Sequence, residues 1–488
     1  MGRKAQRGGP MVRSVSAASA ASAASAASAA SADWEHQFDQ WLTPFLEALR
    51  YPQQRTWAPV YLKGLVLTED RKSIQPLAAR MAPTDYQQLH HFVCTSPWAV
   101  VPLQRVLAQE AQRLVGGSEA VLIIDDTGLP KQGKHSVGVA RQYCGALGKI
   151  ANCQTLVSLT LAQGEVPVPL ALRLFLPATW IDDRARCRRA GVPPEVLADS
   201  HRSKWQLALT ELDHAMAAGV TFETVLADAG YGMSAAFRQG LTTRALQWAV
   251  GVSSMQHVYP VDVTLRRPRP NATGRPRQHP VPSVPSVTAA AMIAALGPRG
   301  FRRVTFRAGT KGPLHVQIAT VRVCVADGRV FAARRRLPGG AAWLVCERRQ
   351  TGEVKYYLTN HPASTSAQRL VRAIKARWSC EQGHQQLKEE LGLDHFEGRS
   401  WLGLHHHALL TLISFAFLQH LRLQAAPAVP TPSEKKTASG SRPSRSATAA
   451  RAPHHPPSPP RGGPRRDPPL PRLSRLAQQQ TTTVNMAK

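Results

Sequence analysis

At 488 residues the chain can bury a large core and divide into two or three domains, and its 61 Lys and Arg against 31 Asp and Glu give a formal charge of +30. Its ends carry +4 (residues 1–32) and +9 (residues 424–488), which leaves +17 for residues 33–423, so the expected folded part is itself basic and suits nucleic acid better than a membrane surface. Seven scattered cysteines with no CxxC pair, and a longest apolar run of eleven residues (ALLTLISFAFL, 408–418) against the ~20 of a bilayer span, argue against a disulfide framework, a zinc module and a membrane helix, and point to a reducing, cytoplasmic setting.

Residues 1–32 hold a Ser-Ala-Ala triplet repeat, whose Ser at every third position makes a poor apolar core for a targeting peptide; disordered low complexity is expected. From 33 to 117 apolar residues recur at three and four, which predicts a helical domain with starts near Thr68 and Asp70, Thr84 and Ser96. Such a module either binds DNA or supports packing. Strands are then predicted at 121–126, 152–162 and 168–176, a long helix at 194–219, and further strands at 221–232 and 246–252. That order predicts an α/β fold, a mixed sheet flanked by helices over 118–252 and 361–423. Alternating segments at 253–360, interrupted by the Pro-rich basic stretch 266–287, predict a β-rich insertion. A single strong helix is predicted at 366–392, and the Pro, Ser and Arg content of 424–488 predicts a disordered basic tail.

Two motifs compete for the chemistry. GLPKQGKH, Gly128 to His135, nearly matches a phosphate-binding loop, but His135 stands where a Mg²⁺-binding hydroxyl is required and no apolar helical period follows, so a P-loop nucleotide hydrolase is the weakest of three readings. The acids say more. Asp125 or Asp126 ends the most apolar strand and Asp228 ends another, and a carboxylate at such a position calls for a positive partner, for which a divalent ion serves. On the late helix Arg377, Glu381 and Lys388 fall on one face at about 100° per residue, as an acid between cations or a plain salt-bridge ladder. His405 to His407 spread around a helix axis and do not read as a metal tract. Trp378 and Trp401 read as core.

Asp-x-Thr at Asp125 and Thr127, DAGYG around Asp228 and the R-(3)-E-(6)-K spacing of Arg377, Glu381 and Lys388 resemble the catalytic core of DDE transposases of bacterial insertion sequences. DDTGLPKQGKHSVGVARQYCGALGKIANCQ most closely resembles the insertion-sequence family numbered seven-oh-one, over roughly residues 34–420. The resemblance implies a ribonuclease-H-like sheet with a β insertion before the helix bearing the glutamate. It also implies that Asp125, Asp228 and Glu381 hold two Mg²⁺ or Mn²⁺ ions, with Asp126 the alternative first acid, and that Arg377 and Lys388 contact DNA. Ile374 stands where the signature has Tyr. Double-stranded DNA, as element ends and target, and a homodimer or larger synaptic assembly are the implied partners. A descendant that binds DNA without cutting it is the second reading.

Overall fold

The computed structural model describes residues 33–198, 202–266, 280–309, 312–332, 335–349 and 351–425; the Ser-Ala-Ala repeat, most of the Pro-rich stretch and nearly all of the basic tail lie outside them. Residues up to His420 belong to one compact unit, and of a second, from Leu421, only 421–425 are described.

Five helices open the described chain: α1 (33–47), α2 (Pro52–Leu67), α3 (Ile74–Met81), α4 (Tyr86–Cys94) and α5 (Val100–Val115). The helix starts expected at Thr68 and Asp70, Thr84 and Ser96 fall too early. Thr68 closes α2, with its N–H on Gly64 O, and the Ser96 hydroxyl is buried and accepts from Gln54 Nε2 at 3.3 Å. The actual caps are Ser73, Asp85 and Ala99, none with a side-chain capping bond.

Six strands follow: β1 (Val121–Pro130), β2 (Ala140–Cys144), β3 (Lys149–Gln163), β4 (Val166–Leu174), β5 (Thr224–Ala227) and β6 (Gln247–Val252). β3 lies antiparallel to β1 and β4, while β5 pairs parallel with both β1 and β6, which gives the order β4–β3–β1–β5–β6. The β4-to-β5 connection carries α6 (Lys204–Ala217), opened by a capping box of Ser203 and Gln206; the expected 194–219 helix is thus divided, its first piece being Pro194–Ala198. Between β5 and β6 come the short α7 (Ala229–Gly232) and α8 (Ala235–Thr243). β2 and the turn into β3 had no counterpart among the predicted elements.

The alternating segments beyond β6 form two small two-stranded sheets, 265–266 with 281–282 and 330–332 with 335–336, and otherwise join the main one. β7 (His257–Pro260), β8 (Val287–Thr288), β9 (Arg302–Gly309), β10 (Gly312–Val325), β11 (Ala341–Arg348) and β12 (Val354–Thr359) extend the same one, with β12 antiparallel to β6. The result is a 12-stranded mixed sheet.

Helices α9 (Ala367–Ala376) and α10 (Trp378–Glu389) pack on one face of it, and α11 (Trp401–Ala425) follows. The single helix expected at 366–392 is broken at Arg377. That residue keeps helical angles (φ −55°, ψ −28°), but Cys380 N bonds back to Arg377 O, so the hydrogen-bond spacing tightens to three residues there. Helix α11 is long and apolar enough to cross a membrane by composition, yet its apolar stretch is buried inside the fold. Phe417 meets Phe38 edge-on at 5.0 Å, and His406 stacks on Trp98 at 3.4 Å.

Candidate active site

Side chains alternate across a strand, and β1 uses both faces. Val121 and Ile123 join Leu226, Ala249, Leu370, Ile374 and Cys380 in one buried cluster beneath α9 and α10. Asp125 continues that face. Asp126 continues the face of Leu122 and Ile124, on the opposite side. On β5, Leu226 belongs to the α9–α10 face, so Asp228, two residues on, leaves the sheet on the same side as Asp125. The parallel register Ile124↔Ala227 sets Asp125 and Asp228 abreast on strands about 4.8 Å apart.

Arg377, at the joint between α9 and α10, completes the group. Its Nη1 donates to Asp125 Oδ2 at 2.6 Å, and its Nη2 donates to Glu381. Burial would depress this guanidinium, but Asp125, Glu381 and Asp228 around it outweigh that effect and hold it charged. Asp125, only 13% exposed, feels the reverse: burial pushes its carboxyl up to about 7 even though Arg377 pulls it down, and Asp228 adds to the rise. Arg377 therefore bonds two of the acids and lies within electrostatic reach of the third. Thr127, on the same side of β1, has a buried Oγ1 without a hydrogen-bond partner among the described residues.

Asp126 is engaged elsewhere. Lys204 Nζ donates to its Oδ2 at 2.6 Å, and the buried Tyr231 hydroxyl donates to its Oδ1. Tyr231 also donates its backbone N–H to Asp228 Oδ1 at 3.3 Å, where Asp228 caps α7. Burial and Asp126 keep the Tyr231 hydroxyl protonated, so it stays a donor. One tyrosine thus ties the end of β1 to the turn bearing Asp228. That turn sits hard against β6: a Cβ at Gly232 would lie 2.0 Å from Gly251 O, which is why DAGYG ends in glycine. Sequence reasoning gave Tyr231 and Lys204 no role. The Tyr within DAGYG was the available signal, whereas nothing local marks Lys204.

The remaining expected residues are distributed unevenly. Lys388 is half-buried two turns beyond Glu381, with Asp394 and Cys144 as its charged or titratable neighbours rather than the three acids. Ile374 is packed into the cluster under the sheet. Trp378 is half-buried, not core, because the Arg307 guanidinium covers its ring at 4.8 Å; Trp401 is buried. His405, His406 and His407 are buried with separate partners: Trp401 O for the first, one of Val93 O and Trp98 O for the second, whose neutral ring has a single N–H, and the Tyr61 hydroxyl and Gly392 O for the third. The phosphate-loop alternative lacks its helix: β1 runs on to Pro130 and the chain next forms β2.

Two groupings come into question for a divalent ion, and among the described residues only the first has its potential ligand atoms drawn together. Asp125, Cys380 and His384 have potential ligand atoms within 4.8 Å of one another. Ser158 Oγ, however, donates its proton to the backbone Asp125 O at 3.0 Å, so His384 Nε2, 2.8 Å from Ser158 Oγ, carries a proton and donates to that hydroxyl oxygen. Burial pushes the Cys380 thiol up to about 12 and holds the His384 imidazole down at about 3. A neutral thiol and a committed imidazole make poor ligands. Asp125, Asp228 and Glu381 instead offer an all-oxygen set with surplus negative charge, which fits a hard cation.

Over 211 residues the chain is 29% identical to the probable transposase for insertion sequence element IS701 of Microchaete diplosiphon, which is 43% of this chain and 52% of that protein, so the chain spans about half the length of this curated relative. Among solved structures, a piggyBac transposase synaptic complex with hairpin DNA aligns over 78% of this chain and 69% of its own at 8% identity and a TM-score of 0.39. The NurA nuclease of Sulfolobus solfataricus aligns over 56% and 79% at 10% identity and a TM-score of 0.22. Residues 44–313, more than half of the sequence, match the family described as DDE superfamily endonuclease, a stretch that includes Asp125 and Asp228 and ends before Glu381. By the extent of that match, the chain belongs to the DDE superfamily endonucleases.

Proposed function

We propose that the chain is a DNA transposase, which hydrolyses phosphodiesters at the ends of an insertion sequence and joins the freed 3′ ends to target DNA. The observation that carries this reading is the Arg377 bridge from Asp125 to Glu381, with Asp228 set beside Asp125 by strand register. The order β4–β3–β1–β5–β6, with three antiparallel strands followed by two parallel to the first, supports a ribonuclease-H-like core over 118–252 and 361–423. In this reading 33–117 is a helical, possible DNA-binding domain, and 253–360 is a β-rich insertion that prolongs the core sheet.

Asp125, Asp228 and Glu381 would hold two Mg²⁺ or Mn²⁺ ions. Bound there, the ions supply the positive charge that stabilises both the attacking and the leaving oxygen of an in-line displacement. The protein's own part is positioning. Tyr231 orients Asp228 and fixes Asp126, and Lys204 neutralises Asp126. Asp126 is accordingly a positioning residue rather than the first catalytic acid. Arg377 and Lys388 are assigned to DNA phosphates near the cut. The attacking group is first water and then the freed 3′-hydroxyl, with no protein nucleophile. Pairing two element ends calls for a homodimer or larger assembly, and the bacterial cytoplasm is the place of action.

The test is to incubate the purified chain with its own flanking genomic DNA and Mg²⁺ and to map new 3′ ends. Cuts at discrete element ends are expected, abolished by Asp228→Asn and by Glu381→Gln while DNA binding persists. Equal cutting by both variants would refute the assignment. Ile374, packed in the core in place of the signature Tyr, favours a second reading, a DNA-binding descendant without activity. DNA binding with no cutting by the parent chain would select it.

A further inference from the structure

The β2–β3 hairpin, residues 140–150, is absent from the chemistry above, and its composition is unusual for a solvent-exposed turn. Tyr143 and Ile150 are directly paired across the two strands and stay 66% and 62% exposed, and Leu147 at the tip is 46% exposed. Single exposed apolar residues are ordinary, but three large ones within eight residues are a patch. The surroundings are cationic. No acid occurs between Asp126 and Glu165, and Lys134, Arg141 and Lys149 are all exposed there. A second protein surface has no need of so basic a stretch of chain, whereas a polyanion does.

The hairpin also lies next to the site. It folds back across the outer half of β1, so that Cys144 Sγ would be only 2.9 Å from a Cβ at Gly128; the glycine is what admits this approach. Gly128 is three residues past Asp125, about 10 Å along the strand. Cys144 is in turn within electrostatic reach of Lys388 on α10. Tyr143 and Ile150 leave β2 and β3 on the face opposite Cys144, so the apolar patch is the outer face of a hairpin whose backbone lies beside the strand that carries Asp125.

We propose that this hairpin packs Tyr143, Leu147 and Ile150 against unstacked bases of the DNA beside the cleaved phosphate. Apolar side chains act as wedges between base steps and an aromatic ring as a stacking platform, while Lys134, Arg141 and Lys149 hold the backbone. The inference rests on the proposed action on DNA and adds which part of the chain takes hold of distorted DNA.

The experiment compares binding of the full chain to a fully paired duplex and to the same duplex interrupted by a run of unpaired thymines. The parent is expected to prefer the interrupted duplex by about tenfold or more, the scale of one stacked base. The double variant Tyr143→Ser with Ile150→Ser, both at exposed positions and checked for an unchanged circular dichroism spectrum, is expected to lose that preference while keeping paired-duplex affinity within about twofold. A parent without preference, or a variant that retains it, overturns the inference. So does a variant whose only change is in self-association, which would make the hairpin a contact between copies. Mg²⁺-dependent nicking measured on the same preparations separates the two claims: nicking without the preference defeats the hairpin's role alone, whereas a chain that neither binds nor nicks DNA defeats both.

Discussion

Asp125 and Asp126 differ in little except the side of the strand they leave from, and that side decides their work. Asp125 faces Arg377 and the face of α10, while Asp126 is held by Lys204 and Tyr231. Asp125→Asn is therefore expected to abolish nicking. Asp126→Asn keeps the Tyr231 bond, loses the ion pair, and should leave cutting reduced by roughly tenfold, the order of one charge-assisted hydrogen bond; equal losses in a nicking assay would contradict the distinction. Gly232→Ala forces a methyl into Gly251 O and should cut activity by displacing Asp228, with folding checked by thermal melting. The acids themselves were legible in sequence because charged residues at the ends of apolar strands stand out. The choice between neighbours was not, because alternation shows only that two adjacent residues point opposite ways. Which way is set by packing against α9 and α10, far along the chain.

The element that shapes the acid response is α11. Burial holds His405 at about 3 and His406 and His407 at about 4, and His384 on α10 at about 3. An imidazole depressed in the folded state contributes stability that is complete above its unfolded value near 6.5 and is lost as pH falls below it. Each such group costs on the order of 1.4 kcal/mol per pH unit until its folded value is reached. Asp125, raised to about 7, works the other way as a single carboxyl. Net destabilisation is expected between pH 6.5 and 4, read as a falling urea midpoint; a midpoint that is flat across that window would contradict it. Phe417→Ala, which removes a buried ring packed on Phe38 and Trp41, should cost about 3–5 kcal/mol. The apolar run 408–418, too short for a membrane span, marked the buried stretch of α11. The sequence announced α9 and α10 as one helix, since periodicity reports the face of a helix and is blind to a one-residue tightening of its hydrogen bonds. The β2–β3 hairpin escaped notice because its strands pack only one side and its outward residues are apolar, which erases the alternation that marks a strand.

For the whole molecule, the excess of +17 in residues 33–423 predicts DNA binding dominated by phosphate contacts, with affinity falling steeply and linearly in a log–log plot against salt. Salt-insensitive binding would argue against such an interface. Composition points to the partner class proposed here, and the strand order carried the α/β class of fold, but the joining of the 253–360 strands to the core sheet was not readable, because pairing between β12 and β6 is a long-range choice with no local mark. The central claim is that Asp125, Asp228 and Glu381 share divalent cations. Anomalous diffraction from crystals soaked in Mn²⁺ tests it most directly. The expected peaks lie among these three carboxylates, with the Arg377 guanidinium moved off Asp125. A peak enclosed by Asp125, Cys380 and His384, or three carboxylates that remain metal-free at saturating Mn²⁺, would contradict it.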